Sequence, residues 1–290
     1  AADSRQEMAA TSWRRTPATM PPMLDRRLLA LLAALALLTA GCAGVLVDLG
    51  LGAERGRADL RWQQDDDGIV YLERNVRDPT GTVLMVHGLG GSKDHWTRFA
   101  ARLPQNLRLI AIDLPGFGES PKDAHVSHAA TIQVAHLKRF VDVHHLKPFH
   151  LVGNSMGGRI ATEYALTHPD EVVSLVLFDP AGVTPPPGAS TSHVVIVRSA
   201  ADFDTLMATA FVQPPRIPDV VKGYFAERAQ QNADLESKVL DELNATPGKL
   251  EERIGALRPP ALVVWGSQDR ILDPAAAAVW RAHLREGEVV

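Results

Sequence analysis

From Gly68 onward, short runs rich in Val, Ile and Leu alternate with stretches whose apolar residues recur at helical spacing. Ile69 to Glu73, Thr82 to Val86, Leu107 to Ile112, Phe149 to Val152, Val172 to Phe178 and Ala261 to Trp265 predict strands. Their near-continuous apolar character is that of strands covered on both faces. His95 to Leu103, Ala129 to Val143, Gly157 to His168 and Pro274 to Arg285 predict the intervening helices. Strand–helix alternation of this kind implies an α/β fold built on a doubly wound, mostly parallel sheet.

One segment breaks the rhythm. Val183 to Pro260 opens on Thr184-Pro185-Pro186-Pro187-Gly188 and then carries helical patterns, with a weak strand signal at His193 to Val197. Leu206, Met207 and Phe211, then Val220, Val221, Tyr224 and Phe225, recur at helical spacing. The segment is far longer than an ordinary connection, so 183–260 is expected to form a helical lid between core portions 51–182 and 261–290.

The first 50 residues are expected to lie outside the fold. The chain does not open on methionine, and Met20 and Met23 are candidate starts of a leader. Asp25-Arg26-Arg27, the apolar run Leu28 to Thr39 and then Ala40-Gly41-Cys42 have the order of a secretory signal. Cys42 after Ala-Gly resembles a bacterial lipobox, in which the cysteine is lipidated, although Thr39 stands where leucine is commoner. Leu28 to Val47 is also long enough for a membrane anchor. Both readings place the protein outside the cytosol, at a membrane surface.

Composition removes several classes. The 290 residues are 46% hydrophobic, enough for a sizeable core, which excludes a disordered chain. Net charge is −4 with the signs interspersed, and no basic stripe offers a nucleic-acid footprint. One cysteine excludes a disulfide framework and a cysteine-based metal site. The chemistry developed below calls for no cofactor.

Gly153-Asn154-Ser155-Met156-Gly157 lies between a predicted strand and a predicted helix. G-x-S-x-G there is a nucleophile elbow, whose tight turn lifts the serine hydroxyl clear of the backbone. A serine needs a base, an acid that orients the base, and donors for the oxyanion. The Met156 N–H, at a helix N-terminus, is the first expected donor. Leu89, in His87-Gly88-Leu89-Gly90-Gly91 after an earlier strand, supplies the second. His87 is read as structural, and the glycine-rich turn Asp113 to Ser120 as shaping the site without direct chemistry. Asp269, after Ala261 to Trp265, is the expected acid, with Asp179 in reserve and more simply read as capping the Asp-Pro-Ala-Gly turn.

The base is the missing partner. In the chain order Ser, Asp, His, the histidine belongs after the last strand, which Glu288-Val289-Val290 looks to begin. His283 falls on the exposed side of a helix, and every other histidine precedes Asp269. The catalytic histidine is therefore expected beyond Val290, with the last strand and closing helix incomplete here.

Together these motifs resemble the α/β-hydrolase superfamily. Lys147 to Gly158, Pro180-Ala181-Gly182 and Trp265 to Asp273 look like its membrane-anchored monoacylglycerol lipase branch and bacterial lipase relatives. The resemblance implies Ser155 as nucleophile, Asp269 as acid, Leu89 and Met156 as oxyanion donors, and a lipidic ester as substrate. Two alternatives stand beside it. Carbon–carbon bond hydrolases of aromatic degradation share Gly-Asn-Ser-Met-Gly-Gly, and a non-catalytic scaffold would follow if Val290 were the natural end.

Overall fold

The computed structural model describes residues 43–190, 193–245 and 249–290. Residues 1–42, which hold Cys42 and most of the expected leader over 1–50, fall outside them. A helix over 43–57, α1, is followed by two short strands, β1 (Arg61–Gln64) and β2 (Val70–Arg74). Next come β3 (Gly81–Val86), a 3-10 turn (Lys93–Trp96) running into α2 (Thr97–Ala100), and β4 (Leu107–Ile112). Helix α3 (Ala130–Val143), β5 (Phe149–Asn154), α4 (Met156–Thr167) and β6 (Val172–Phe178) complete the first core portion. The insertion carries α5 (Ala200–Ala210) and α6 (Asp219–Ala245), after which β7 (Ala261–Val264), α7 (Ala276–His283) and β8 (Gly287–Val289) follow.

The eight strands form one sheet in the order β1-β2-β4-β3-β5-β6-β7-β8. The β1–β2 and β2–β4 pairs are antiparallel, and the remaining pairs are parallel. Side chains alternate across β3 and β4. Leu84, Val86, Ile110 and Ile112 enter one apolar cluster with α3 and α4 residues, while Val83, Met85, Leu109 and Ala111 enter a second with Trp96 and Ala100. Burial on both faces is why these strands read as continuous apolar runs.

Three local expectations differ from the structure. Strand β1, Arg-Trp-Gln-Gln, carries no apolar alternation because it is an edge strand paired only to β2. His193 to Val197 is not a strand; it runs as irregular chain, tied by the His193 N–H to the Ile271 carbonyl at 2.9 Å. Its β-branched residues have no partner strand, and Val197 packs on Phe203 and Ala226 in a separate small cluster. Helix α1 crosses the expected boundary at residue 50: Ala43 and Val47 are buried, and Arg55 makes a bidentate pair with Asp94 at 2.6 and 2.8 Å. Among the described residues no helix is long and apolar enough to cross a membrane.

The inserted segment is anchored at one end. Val239 and Leu243 of α6 join the main core, and buried Arg159 of α4 donates to the Leu243 carbonyl at 2.7 Å. The part of α6 nearer its start packs with α5 instead, through Ala226 and Phe203.

Candidate active site

Ser155 sits between β5 and α4 with φ 52° and ψ −117°. A non-glycine residue in that region is strained by about 1–3 kcal/mol and persists only where its surroundings hold it. Here they do. The Ser155 N–H donates to the Phe178 carbonyl, and the Ser155 carbonyl accepts from Arg159 and Ala181 N–H groups, all at 3.0–3.1 Å. The turn also needs glycine on both sides. A Cβ on Gly153 would stand 2.4 Å from the Gly157 carbonyl oxygen, and one on Gly157 would stand 2.3 Å from that of Val86. Helix α4 therefore lies against the end of β3, with its N-terminus directed to the serine.

The loop after β3 closes over this turn. A Cβ on Gly88 would meet Ser155 Cβ at 3.3 Å and the Asn154 amide oxygen at 3.1 Å. Ser155, Leu89, Asp179 and Asp269 all line one cavity of about 640 Å³, within the range of small-molecule sites. Met156 is different: its side chain is buried in the core, so only its backbone, at the first position of α4, is placed for the site. Cys42 lies outside the described residues.

Asp269 Oδ1 accepts from the Ile271 and Leu272 N–H groups at 2.7 and 3.1 Å, which fixes the carboxylate in the turn after β7. Asp179 follows β6 at φ 43° and accepts the Gly266 N–H at 2.7 Å. It thus braces the turn that carries Asp269, where the sequence suggested capping of its own Asp-Pro-Ala-Gly turn. Desolvation pushes the Asp179 carboxyl up, and the Asp269 charge adds to this against the Gly266 hydrogen bond.

Both ring nitrogens of His87 are engaged. Nδ1 donates to the Gly88 carbonyl at 2.8 Å, and Nε2 accepts the Leu114 N–H at 3.2 Å. Burial lowers its pKa to about 4, so the ring is a neutral strut between the two glycine-rich loops. His283 is exposed and bonds the Val279 carbonyl. Among the described residues, no histidine is hydrogen-bonded to Ser155 or Asp269, and no cluster of His, Cys, Asp or Glu is arranged to hold a metal.

Two residues of the site escaped sequence reasoning. Lys93 is buried, with its backbone N–H 2.6 Å from Asp113 Oδ1 and its ammonium 2.9 Å from Asp113 Oδ2 and 2.7 Å from Glu119. Strand register contained the signal: Val86 of β3 faces Ile112 of β4, so the loops after them start side by side. His95 lines the cavity from the 3-10 turn, where the pattern predicted an ordinary helix start.

A carboxyl from α6 also reaches the loop. Glu236 of α6 lies where a Cβ on Gly90 would stand 3.4 Å from each carboxylate oxygen. Desolvation pushes its pKa up to about 7, against the attraction of Lys122. A carboxyl raised in the folded state stabilises the fold most below its unfolded value, and that contribution is lost as pH rises from about 4.5 to about 7. Glu236→Gln is therefore expected to match the parent near pH 4.5 and exceed it by roughly 1–3 kcal/mol at pH 8. Thermal unfolding at the two pH values measures this, and an equal difference at both would refute it.

A serine on a sharp, strained turn from a sheet strand into a helix is an arrangement shared by the α/β hydrolases. A model of the alpha/beta hydrolase family matches residues 83–290, and the chain belongs to that family. It is 32% identical over 252 residues to Lipase 1 of Psychrobacter immobilis, which covers 82% of this chain and 78% of that one. It is likewise 32% identical over 239 residues to monoacylglycerol lipase abhd6-B of Xenopus laevis, covering 76% and 70%. Among solved structures, a membrane phospholipase A described as a bacterial virulence factor superposes with a TM-score of 0.81. It is 35% identical and covers 92% of this chain and 90% of that chain.

Proposed function

We propose that this protein is a serine ester hydrolase of lipidic substrates, monoacylglycerols or similar esters, working at a membrane surface. The observation that carries the reading is Ser155, strained at a helix N-terminus in the cavity that Asp269 also lines. Relatives that are lipases and a monoacylglycerol lipase support the substrate class. Ser155 Oγ attacks the ester carbonyl and loses its proton to a histidine oriented by Asp269. The Leu89 and Met156 N–H groups stabilise the oxyanion, the alcohol leaves, and water releases the acid from the acyl-enzyme. The histidine is the one that the family resemblance places after the acid.

Apolar exposure supports the membrane address. Val45, Leu46 and Leu49 of α1 are exposed, as are Phe211, Val212, Val220 and Phe225 around the lid. Lid residues Phe211 and Val212 also line the cavity, which suits an acyl chain better than a charged metabolite. The test uses the protein as its gene encodes it, with 1-monodecanoin and methyl decanoate presented in phosphatidylcholine vesicles. Hydrolysis and co-sedimentation with the vesicles are the expected results. No turnover of either ester overturns the hydrolase reading, and activity without sedimentation overturns the membrane address.

A further inference from the structure

We propose that His95 is a specificity-determining residue that hydrogen-bonds a hydroxyl on the alcohol half of the substrate, selecting esters of polyhydroxylated alcohols over plain alkyl esters. The assignment rests on the ester-hydrolase reading above and adds the feature that tells one ester from another.

The position of His95 is fixed from beneath. Its 3-10 turn is held by Asp113, which accepts the Lys93 N–H and ammonium, and by the Arg55 clamp on Asp94. Its ring lies on Gly91, where a Cβ would stand 2.9 Å from Nδ1 and 3.1 Å from Cε1. Any side chain at residue 91 would have to displace that ring, so the glycine leaves the room His95 occupies. The residue is accessible and lines the same cavity as Ser155. Neither ring nitrogen has a protein hydrogen-bond partner among the described residues, in contrast to His87.

The rest of the cavity shows what His95 can recognise. Phe211 and Val212 from the end of α5, and Ile271 and Leu272 after β7, give the cavity apolar surface for an acyl chain. An acyl chain laid against His95 would leave two ring nitrogens unsatisfied in a partly desolvated place. Desolvation holds the imidazole below its usual pKa despite Asp94 and Asp113 nearby, so at neutral pH it has one donor and one acceptor. A carboxylate or an ammonium gains no ion pair from a neutral ring. A hydroxyl can both accept from it and donate to it, and two adjacent hydroxyls can use both nitrogens.

The experiment compares 1-monodecanoin with methyl decanoate, which share their acyl chain and differ only in the alcohol. The parent is expected to favour the glyceride, and His95→Phe to lower the ratio of the two kcat/KM values roughly tenfold, mainly through a higher KM for the glyceride. His95→Gln, which keeps a donor and an acceptor, is expected to recover most of the ratio. A ratio unchanged by His95→Phe, or lost equally in both variants, overturns the assignment. Binding of 1-monodecanoin to Ser155→Ala, with and without His95→Phe, is measured by calorimetry as a second arm. It needs no turnover, so an inactive parent would end the hydrolase reading while the binding ratio still decides the role of His95. Thermal unfolding of each variant separates lost recognition from lost fold.

Discussion

Ser155→Ala is expected to reduce ester turnover by roughly 10⁴- to 10⁶-fold while leaving the melting temperature within about two degrees of the parent. Loss of the nucleophile removes the acyl-enzyme route altogether, and what survives is the weak catalysis of an oxyanion site and bound water. The fold should not notice, because the backbone of residue 155 is held by the Phe178, Arg159 and Ala181 hydrogen bonds and not by the hydroxyl. Alanine also keeps the Cβ, so it keeps the strain at φ 52°. Ser155→Gly separates the two effects: activity falls equally, but relief of strain outweighs the added flexibility of the unfolded chain by about 1 kcal/mol. Steady-state kinetics and calorimetric melting decide the matter. Retained turnover in Ser155→Ala would remove Ser155 from the mechanism.

Lys93→Met is expected to destabilise the fold by roughly 3–5 kcal/mol. Asp113 is fully buried and shares Lys93 with Glu119, which is partly exposed. Without the ammonium, Asp113 keeps its two backbone N–H donors, from Lys93 and Glu119, but loses its cation. An uncompensated buried charge costs far more than an exposed ion pair contributes, and that asymmetry sets the size of the effect. Burial opposes the charged form of Lys93, yet Asp113 and Glu119 leave its pKa raised. This contribution is therefore complete below the ordinary lysine value of 10.5 and is lost only as pH rises through the higher folded value. The melting temperature should fall by roughly 10 °C at pH 7. Adding Asp113→Asn removes the orphaned charge but sets an amide NH2 against one of the two backbone N–H donors, so it should recover only part of that loss. A double variant no more stable than Lys93→Met would show that the pair acts through something other than charge.

Much of the fold was legible because parallel strands buried on both faces leave a signal in the sequence itself. Val83 to Val86 and Leu109 to Ile112 are apolar at every position, since each face of the sheet has its own cluster to fill. The elbow was legible for a related reason. Gly153 and Gly157 are required by backbone contacts inside one short turn, so their spacing around Ser155 is a local property. Strand β1 was not legible, because its pairing with β2 needs no apolar side chains. Nor did the Val-rich run at 193–197 reveal that no strand lies beside it.

The sequence by itself determined the succession of core strands and helices from β2 to α7, the serine turn, and which residues follow those strand ends, because these depend on neighbours within a few positions. Only the tertiary structure decided that Lys93 answers Asp113 and that Asp179 braces the Asp269 turn across from β6. The same holds for His95 opening into the Ser155 cavity and Glu236 pressing on Gly90. Each of these depends on the register of adjacent strands or on where α6 comes to rest. Contacts of that kind join residues far apart in the chain, and a charged or polar side chain carries no mark of its partner until packing brings the two together.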